Sequence, residues 1–233
     1  MSDRYILYSA IGSGGVAVEA ALTLIGAPYE LIEAPTFEFD DPEAGDRVLA
    51  ANPMRQVPAL VLPGGAASDA AAGAAGGGEV LTESAAILIR LGELHPEAGL
   101  APGLDDPRRG AFLRWMSFVG SQIYAHFWLK DDPSRLVADA TLHPDVNRRI
   151  EARILDCWQV MERGTAPGRY ILGDELTVLD LYVAVVSRFR PRRQHFYAAA
   201  PRLGEVARRV DEDPRLAAFW AERYPFFEGW DRL

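Results

Sequence analysis

Cysteine, lysine and long apolar runs are all scarce in this 233-residue sequence, and each shortage excludes a class of protein. The one cysteine, Cys157, excludes an intramolecular disulfide framework and any cysteine-rich zinc site. No uninterrupted apolar run approaches the roughly 20 residues that a membrane-spanning helix needs. The start, MSDRYILYSA, lacks the basic segment and apolar stretch of an export signal. We therefore expect a cytoplasmic protein that has no membrane partner.

Positive charge is also in short supply. The formal net charge is -9, the isoelectric point is near 5.0, and Lys130 is the only lysine among 24 basic residues. Because binding to a phosphate backbone needs a basic surface, nucleic acid is excluded as a partner. We interpret the local basic cluster as a solvated helix end; it comprises Arg188, Arg190, Arg192 and Arg193. The four histidines lack metal-ligand spacing, so no metal is expected.

The N-terminal part of the sequence alternates between strand and helix patterns. Residues 4–9 predict a buried strand, a glycine-rich loop and a helical pattern follow, and residues 29–34 predict a second strand. Residues 57–62 and 79–82 predict a hairpin whose insertion, GGAASDAAAGAAGGG, we interpret as a disordered surface loop. A second helix is predicted within 42–51 and a third over 84–94. The order β-α-β-α-β-β-α results.

The rest of the sequence predicts helices. Residues 95–106 are rich in proline and glycine and read as a linker. Two apolar stripes follow, the first with Phe112 and Trp115 and the second with Ile154 and Trp158, and further helices are predicted over 178–190, 201–212 and 214–222. The expected domains are thus 1–94, an α/β domain, and 107–233, an all-helical domain.

This order of elements resembles that of cytosolic glutathione transferases, and NPMRQVPAL at 52–60 resembles the family's N-P-x-x-x-V-P-x-L element, especially its form in zeta-class enzymes. The resemblance implies a thioredoxin-like N-terminal domain, a helical C-terminal bundle and glutathione as co-substrate. It also implies that Pro58 is cis, that the backbone of Val57 pairs with the cysteinyl part of glutathione, and that Gln56 belongs to the same binding segment.

The segment LTESAAI at 81–87 resembles the family's (E/Q)-S-x-A-I turn. That resemblance assigns the γ-glutamyl end of glutathione to Glu83 and Ser84. A carboxylate suits the ligand's ammonium, while a serine and the amides of a helix N-terminus suit its carboxylate. The alternative is that Ser84 only caps its helix; the preceding NPMRQVPAL element makes the binding role the stronger interpretation.

A third match, LGDELTVLDLYV at 172–183, is similar to the family's G-x-x-x-(S/T)-x-x-D element. Thr177 and Asp180 have the spacing of a capping box, in which two polar residues satisfy the free amides of a helix start. We assign this pair a structural role.

The loop YSAIGSGGVAVEAAL follows the first strand, where the family carries the residue that activates the glutathione thiol. Only the thiolate is a good nucleophile, and a hydroxyl donor at a helix N-terminus stabilises it. Ser13 is the catalytic candidate, Ser9 is the second choice, and a packing role is favoured for Tyr8. The sequence lacks the S-S-C-S-W element of zeta-class enzymes, which leaves the class open, and Ser13 could instead be a helix cap.

The resemblance implies an acceptor pocket along the first long helix of the C-terminal domain. Phe118, Gln122 and Tyr124 are the candidate residues, although aromatic residues at helical spacing more often form a core. His126 is a possible acid or base, but a structural role is the commoner one for such a histidine. The sequence does not name the acceptor.

These observations predict a homodimeric glutathione transferase that attacks a small electrophile with the activated thiol. Two alternatives stay open. One is a non-catalytic module that keeps the fold for protein contacts, which the glycines of the first loop favour. The other is a zeta-like, glutathione-dependent isomerase.

Overall fold

A computed structural model describes residues 4–37, 41–64 and 79–231. Contacts divide the chain into two compact units, one of Met1–Ala101 with Asp213–Phe226 and one of Pro102–Glu212 with Phe227–Leu233. The grouping of Asp213–Phe226 with the N-terminal residues differs from the expected range 107–233. The insertion that we interpret as a surface loop lies almost wholly outside the described residues.

The first unit contains a four-stranded sheet of order β2-β1-β3-β4. Strand β1 (Tyr5–Ser9) pairs in parallel with β2 (Tyr29–Glu33), because the intervening helix returns the chain to the same end of the sheet. Strand β3 (Ala59–Val61) is antiparallel to both β1 and β4 (Val80–Thr82). This arrangement confirms the predicted thioredoxin-like sheet.

In the described part of this unit, four α-helices accompany the sheet. They are α1 (Gly15–Ile25), α2 (Ala44–Leu49), α3 (Ser84–Leu94) and, from the C-terminal segment, α10 (Ala217–Arg223). The first eight residues of α1 are all buried, which matches their apolar composition except at Glu19. Gly26 ends α1 in the left-handed conformation that glycine adopts without a steric penalty.

The second unit is helical, as predicted. Its helices are α4 (Arg109–Phe118), α5 (Ala125–Asp131), α6 (His143–Gly164), α7 (Val178–Val186), α8 (Arg192–Ala199) and α9 (Pro201–Asp211). A π-helical turn, Val119–Tyr124, joins α4 to α5. Helix α8 was not predicted, because RRQHFYAA has no clear apolar stripe.

The sequence interpretation of the basic cluster as a solvated helix end is wrong for two of its four residues, whereas Arg190 is exposed. Arg193 is fully buried and Arg188 nearly so. The guanidinium of Arg193 donates to both carboxylate oxygens of Asp211, at 2.8 and 3.0 Å, and to the carbonyl of Ala184 at 2.6 Å. Arg193 therefore links α8, α9 and α7, because a buried cation needs a paired anion.

The predicted structural pair at the start of α7 is confirmed. The carboxylate of Asp180 accepts hydrogen bonds from the amide and the hydroxyl of Thr177, both at 2.8 Å, and from the amide of Ile171 at 2.8 Å. Asp180 is fully buried. Burial outweighs these three hydrogen bonds and raises the pKa of the carboxyl from 3.8 to about 6.

We predict that this carboxyl makes stability fall with rising pH. The folded-state pKa lies above the unfolded value, so its favourable contribution is complete below pH 4 and is lost as the pH rises through about 6. The shift corresponds to a change of up to about 3 kcal/mol. Asp180→Asn does not ionise. The free energy of unfolding of wild type, relative to Asp180→Asn, should therefore decrease between pH 4 and pH 7 in urea titrations.

Asp180→Ala provides the structural comparison. It removes the acceptor from three buried donors, so we expect a loss of at least about 2 kcal/mol at both pH values. The free energy of unfolding of wild type, taken relative to Asp180→Asn, could instead stay constant or increase from pH 4 to pH 7. That result would contradict a raised pKa for Asp180.

Candidate functional site

The sheet register brings three separate segments to one edge of the first unit. Ala59, the first residue of β3, lies opposite Tyr8 on one side and opposite Thr82 on the other. The end of β1, the residues before β3 and the residues after β4 are therefore neighbours. Tyr8, Ala59 and Thr82 thus form one row across three strands. The next residue beyond this row is Ser9, Pro58 or Glu83, depending on the strand, so the predicted glutathione-binding segments come together.

The turn before β3 is organised by Asn52, the first residue of the NPMRQVPAL element, to which the sequence analysis gave no role of its own. Its side-chain amide donates to the carbonyl of Gln56 at 2.8 Å, and its side-chain oxygen accepts from the amide of Met54 at 3.0 Å. Asn52 is buried. These two hydrogen bonds close the turn that delivers Gln56 and Val57 to the edge of the sheet.

Val57 presents a free backbone there. The Val57–Pro58 peptide bond is cis, as predicted. Among the residues that the structure describes, neither the N–H nor the C=O of Val57 has a hydrogen-bond partner. Val57 is half-buried and Gln56 is half-buried beside it. An unpaired peptide at a strand entry can pair with an extended ligand in the manner of an added strand.

Glu83 and Ser84 form the turn from β4 into α3. Glu83 has a φ of 65° and a ψ of 109°, a conformation that is costly for a residue with a side chain. Glu83 is exposed, whereas Ser84, the first residue of α3, is buried. The amides of the first turn of this 11-residue helix add positive potential. One exposed carboxylate thus lies next to a site suited to an anion.

The hydroxyl of Ser13 is engaged within its own loop. It donates to the carbonyl of Ala10 at 2.7 Å and accepts from the amide of Gly15, the first residue of α1, at 3.1 Å. Ser13 is 2% exposed. In this arrangement its hydroxyl satisfies a backbone amide at the N-terminus of α1. Donation to a thiolate would require the hydroxyl proton to rotate away from the Ala10 carbonyl.

The two other candidate hydroxyls differ in their surroundings. Ser9 is fully buried and donates its proton to Oε1 of Glu19 at 2.7 Å. Tyr8 packs in an apolar cluster with Val48, Ala59 and other residues, in line with the favoured packing role. Burial raises the pKa of the Tyr8 phenol, which therefore stays protonated at neutral pH. Ser13 remains the predicted thiol-activating residue.

Glu19 completes this part of the site, and sequence reasoning missed it. It is a carboxylate on the buried face of α1, and Arg223 of α10 donates to both of its oxygens at 2.6 and 3.2 Å. A lone acidic residue in the apolar pattern of α1 signals that a buried partner exists. Nothing in the sequence identifies Arg223, which lies 204 positions away.

The predicted acceptor residues lie in the second unit, around the π-helical turn. Phe118 packs edge-on against Trp115 at 5.3 Å between ring centroids. Tyr124 contacts Tyr182 and Phe189. Gln122 accepts a hydrogen bond from Arg153 at 3.3 Å. The two aromatic residues are thus partly committed to packing, although π-helical turns are frequent at functional sites.

His126 follows this turn on α5. Burial, together with the nearby Arg153, lowers the pKa of its imidazole, which therefore stays neutral at pH 7. Within the described ranges, no helix is long and apolar enough to cross a bilayer, and no three acidic, histidine or cysteine side chains form a group that could hold a metal ion.

Comparison with known proteins identifies the family. Sequence models of the glutathione S-transferase N-terminal and C-terminal domains match residues 17–94 and 144–223, which together exceed half of the chain. The two-part architecture, a thioredoxin-like sheet domain followed by a helical domain, matches that of solved glutathione transferase structures. The chain therefore belongs to the glutathione S-transferase superfamily.

Individual relatives agree with this assignment. The uncharacterized GST-like protein YncG of Escherichia coli K12 is 27% identical over 212 residues, which cover 90% of this chain and 94% of that protein. The glutathione S-transferase GstA of Escherichia coli O157:H7 is 25% identical over 150 residues, 63% of each chain. A glutathione transferase homologue from Sulfitobacter, solved with bound glutathione, has a TM-score of 0.76 at 23% identity and covers 95% of this chain and 99% of that one.

The packing of Ser9 against α1 makes Gly15 a sensitive position. A Cβ at Gly15 would lie 2.2 Å from the Ser9 hydroxyl oxygen and 2.8 Å from the Ser9 Cβ. Because Glu19 holds that hydroxyl, Ser9 cannot move at low cost. We predict that Gly15→Ala lowers the free energy of unfolding by about 1–3 kcal/mol, measured by urea denaturation.

Gly110→Ala is the matched control, since a Cβ at this helical glycine of α4 meets no atom within 4 Å. It should be neutral or slightly stabilising. Equal effects of the two substitutions would mean that Ser9 does not occupy the space beside Gly15.

Proposed function

We propose that this protein binds glutathione at the shared edge of β1, β3 and β4 and activates its thiol for attack on a small electrophile. The observation that carries the proposal is the convergence of Val57, Glu83 and Ser84 beside the loop of Ser13, through the pairing of Ala59 with Tyr8 and Thr82. Glutathione bound to the Sulfitobacter homologue supports the choice of ligand. We further propose that the protein is a homodimer, which the family resemblance implies, and that it is cytoplasmic, as its single cysteine suggests.

The proposed contacts match the chemistry of the γ-glutamyl and cysteinyl parts of glutathione. The exposed carboxylate of Glu83 suits the ammonium of the γ-glutamyl group, and Ser84 with the first amides of α3 suits its carboxylate. The unpaired backbone of Val57 suits the peptide of the cysteinyl residue, with Gln56 beside it. The thiol then faces the Ser13 loop at the start of α1.

The reaction follows from this placement. A hydroxyl proton from Ser13, together with the positive end of α1, stabilises the thiolate at neutral pH. The thiolate attacks an electrophilic carbon, a carbon–sulfur bond forms, and the leaving group departs with its electron pair or an activated double bond takes up a proton. We assign the acceptor side to Phe118, Gln122 and Tyr124.

The binding step is tested by isothermal titration calorimetry with glutathione. Ser84→Ala removes a hydrogen bond to a charged group, so we expect binding to weaken by about 1.5–3 kcal/mol, roughly tenfold to over a hundredfold. Urea unfolding without ligand measures the accompanying decrease in the free energy of unfolding, about 1 kcal/mol, from the loss of a polar side chain at the N-terminus of α3. Ser187→Ala is the control, because Ser187 is similarly buried but donates to the Ala184 carbonyl in α7.

Wild-type protein that gives no binding heat at millimolar glutathione contradicts the proposal. The non-catalytic alternative is then favoured, and it has some support from Ser13, whose hydroxyl is already used within the loop. Binding without turnover of a general aromatic electrophile favours a module that has kept the ligand site but not the reaction.

The activation step is tested by the pH dependence of turnover. We predict that Ser13→Ala raises the apparent pKa of the bound thiol, since the anion loses a donor; each unit corresponds to about 1.36 kcal/mol. Ser9→Ala and Tyr8→Phe serve as comparisons. If the pH profile of turnover is unchanged in Ser13→Ala but shifted in Ser9→Ala or Tyr8→Phe, the hydroxyl of Ser9 or Tyr8 activates the thiol instead.

A further inference from the structure

Arg223 holds two carboxylates that flank the Ser13 loop. Its guanidinium donates to both oxygens of Glu19 and, through Nη2, to Oε2 of Glu33 at 2.9 Å. The Arg223 side chain is 17% exposed and that of Glu19 is fully buried. Both carboxylates raise the pKa of Arg223, which remains charged at every pH at which the protein is folded.

Each of these carboxylates binds the loop at a different residue. Oε1 of Glu19 accepts the hydroxyl proton of Ser9, the last residue of β1, at 2.7 Å. Oε1 of Glu33 accepts the backbone amide of Ile11 at 3.1 Å. The turn from Ala10 to Ser13, which contains Ile11, is closed by the hydrogen bond from the Ser13 hydroxyl to the Ala10 carbonyl. A single arginine thus sets, through two carboxylates, the positions of both Ser9 and Ile11.

The fork of an arginine is suited to this task. A guanidinium carries five N–H donors in a fixed plane and can bind two carboxylates at once, whereas a lysine ammonium is a point charge on a flexible chain. The contact to Glu19 is buried, which makes it directional and costly to distort. The contact to Glu33 is more exposed and adds little stability by itself.

We propose that Arg223 is a positioning residue for the thiol-activating loop. It acts through Glu19 on Ser9 and through Glu33 on the amide of Ile11, and so fixes the orientation in which Ser13 meets the sulfur. The inference rests on the proposed function. It also assigns a role in the glutathione site to the C-terminal segment Asp213–Phe226, which contributes no residue to the ligand contacts proposed above.

The kinetic test compares Arg223→Lys, Glu33→Ala and the control Arg4→Gln. Arg4 pairs with Glu30 at the start of β2, at the other end of the strand from Glu33, and both side chains are exposed. In the first two variants we expect kcat at pH 7 to fall about tenfold and the apparent pKa of the bound thiol to rise by about one unit. KM for glutathione should stay within about threefold, because Val57, Glu83 and Ser84 are untouched. Arg4→Gln should match wild type.

The structural test does not depend on catalysis. Hydrogen exchange of the Ile11 amide, followed by NMR without ligand, should be at least about tenfold faster in Glu33→Ala and Arg223→Lys than in wild type or Arg4→Gln. Arg223→Gln is a stronger perturbation that leaves Glu19 buried without its cation. If that variant fails to fold, Glu33→Ala still tests the proposal, since it removes only the more exposed contact, the one between Arg223 and Glu33.

The outcomes separate the two proposals. Unchanged Ile11 exchange in both variants overturns the positioning role. Faster exchange of the Ile11 amide with an unaltered kcat and pH profile also overturns it, since the loop is then loosened without any effect on activation of the thiol. A raised KM with unchanged kcat identifies Arg223 as a residue that acts on binding instead. Wild-type protein that does not bind glutathione refutes the proposed function, whereas the exchange data still report whether Arg223 fixes the loop.

Discussion

The simultaneous pairing of β3 with β1 and β4 is the constraint on which the candidate site depends. Ala59 faces Tyr8 and Thr82 at once, so the residues just beyond this row have to converge. A shift of one residue in either pairing would turn the side chains of a strand to the opposite face of the sheet. All three residues of β3 are buried, so such a shift would force each side chain into a space that is packed around another. The site is therefore held by the core of its domain.

Polar hydrogen bonds then shape the three segments that the sheet brings together. Asn52 closes the turn before Val57, the first turn of α3 follows the strained Glu83, and Ser13 closes its own loop through Ala10. Behind that loop, Glu19 is a buried charge that is stable only with its partners Ser9 and Arg223. Side chains far apart in sequence thus support the small group of atoms that we propose to contact glutathione.

Local sequence was enough to predict most of the fold. The strands and α3 were found within two residues of their observed bounds, and the capping pair Thr177 and Asp180 was found by its spacing. These features depend on periodicity and short-range hydrogen bonds. The burial of Arg193 was not predicted, because it depends on Asp211, 18 positions away, and on helix packing. Arg223 was missed for the same reason: a contact across 204 positions leaves no local pattern.

We propose above that glutathione lies along the edge formed by β1, β3 and β4, and a crystal structure of the protein soaked with glutathione tests this placement. We expect the γ-glutamyl group at Glu83 and Ser84, the cysteinyl peptide paired with the backbone of Val57, and the sulfur within hydrogen-bond distance, about 3.5 Å, of the Ser13 hydroxyl. Glutathione bound elsewhere on the protein, or a sulfur directed away from the Ser13 loop, would contradict it.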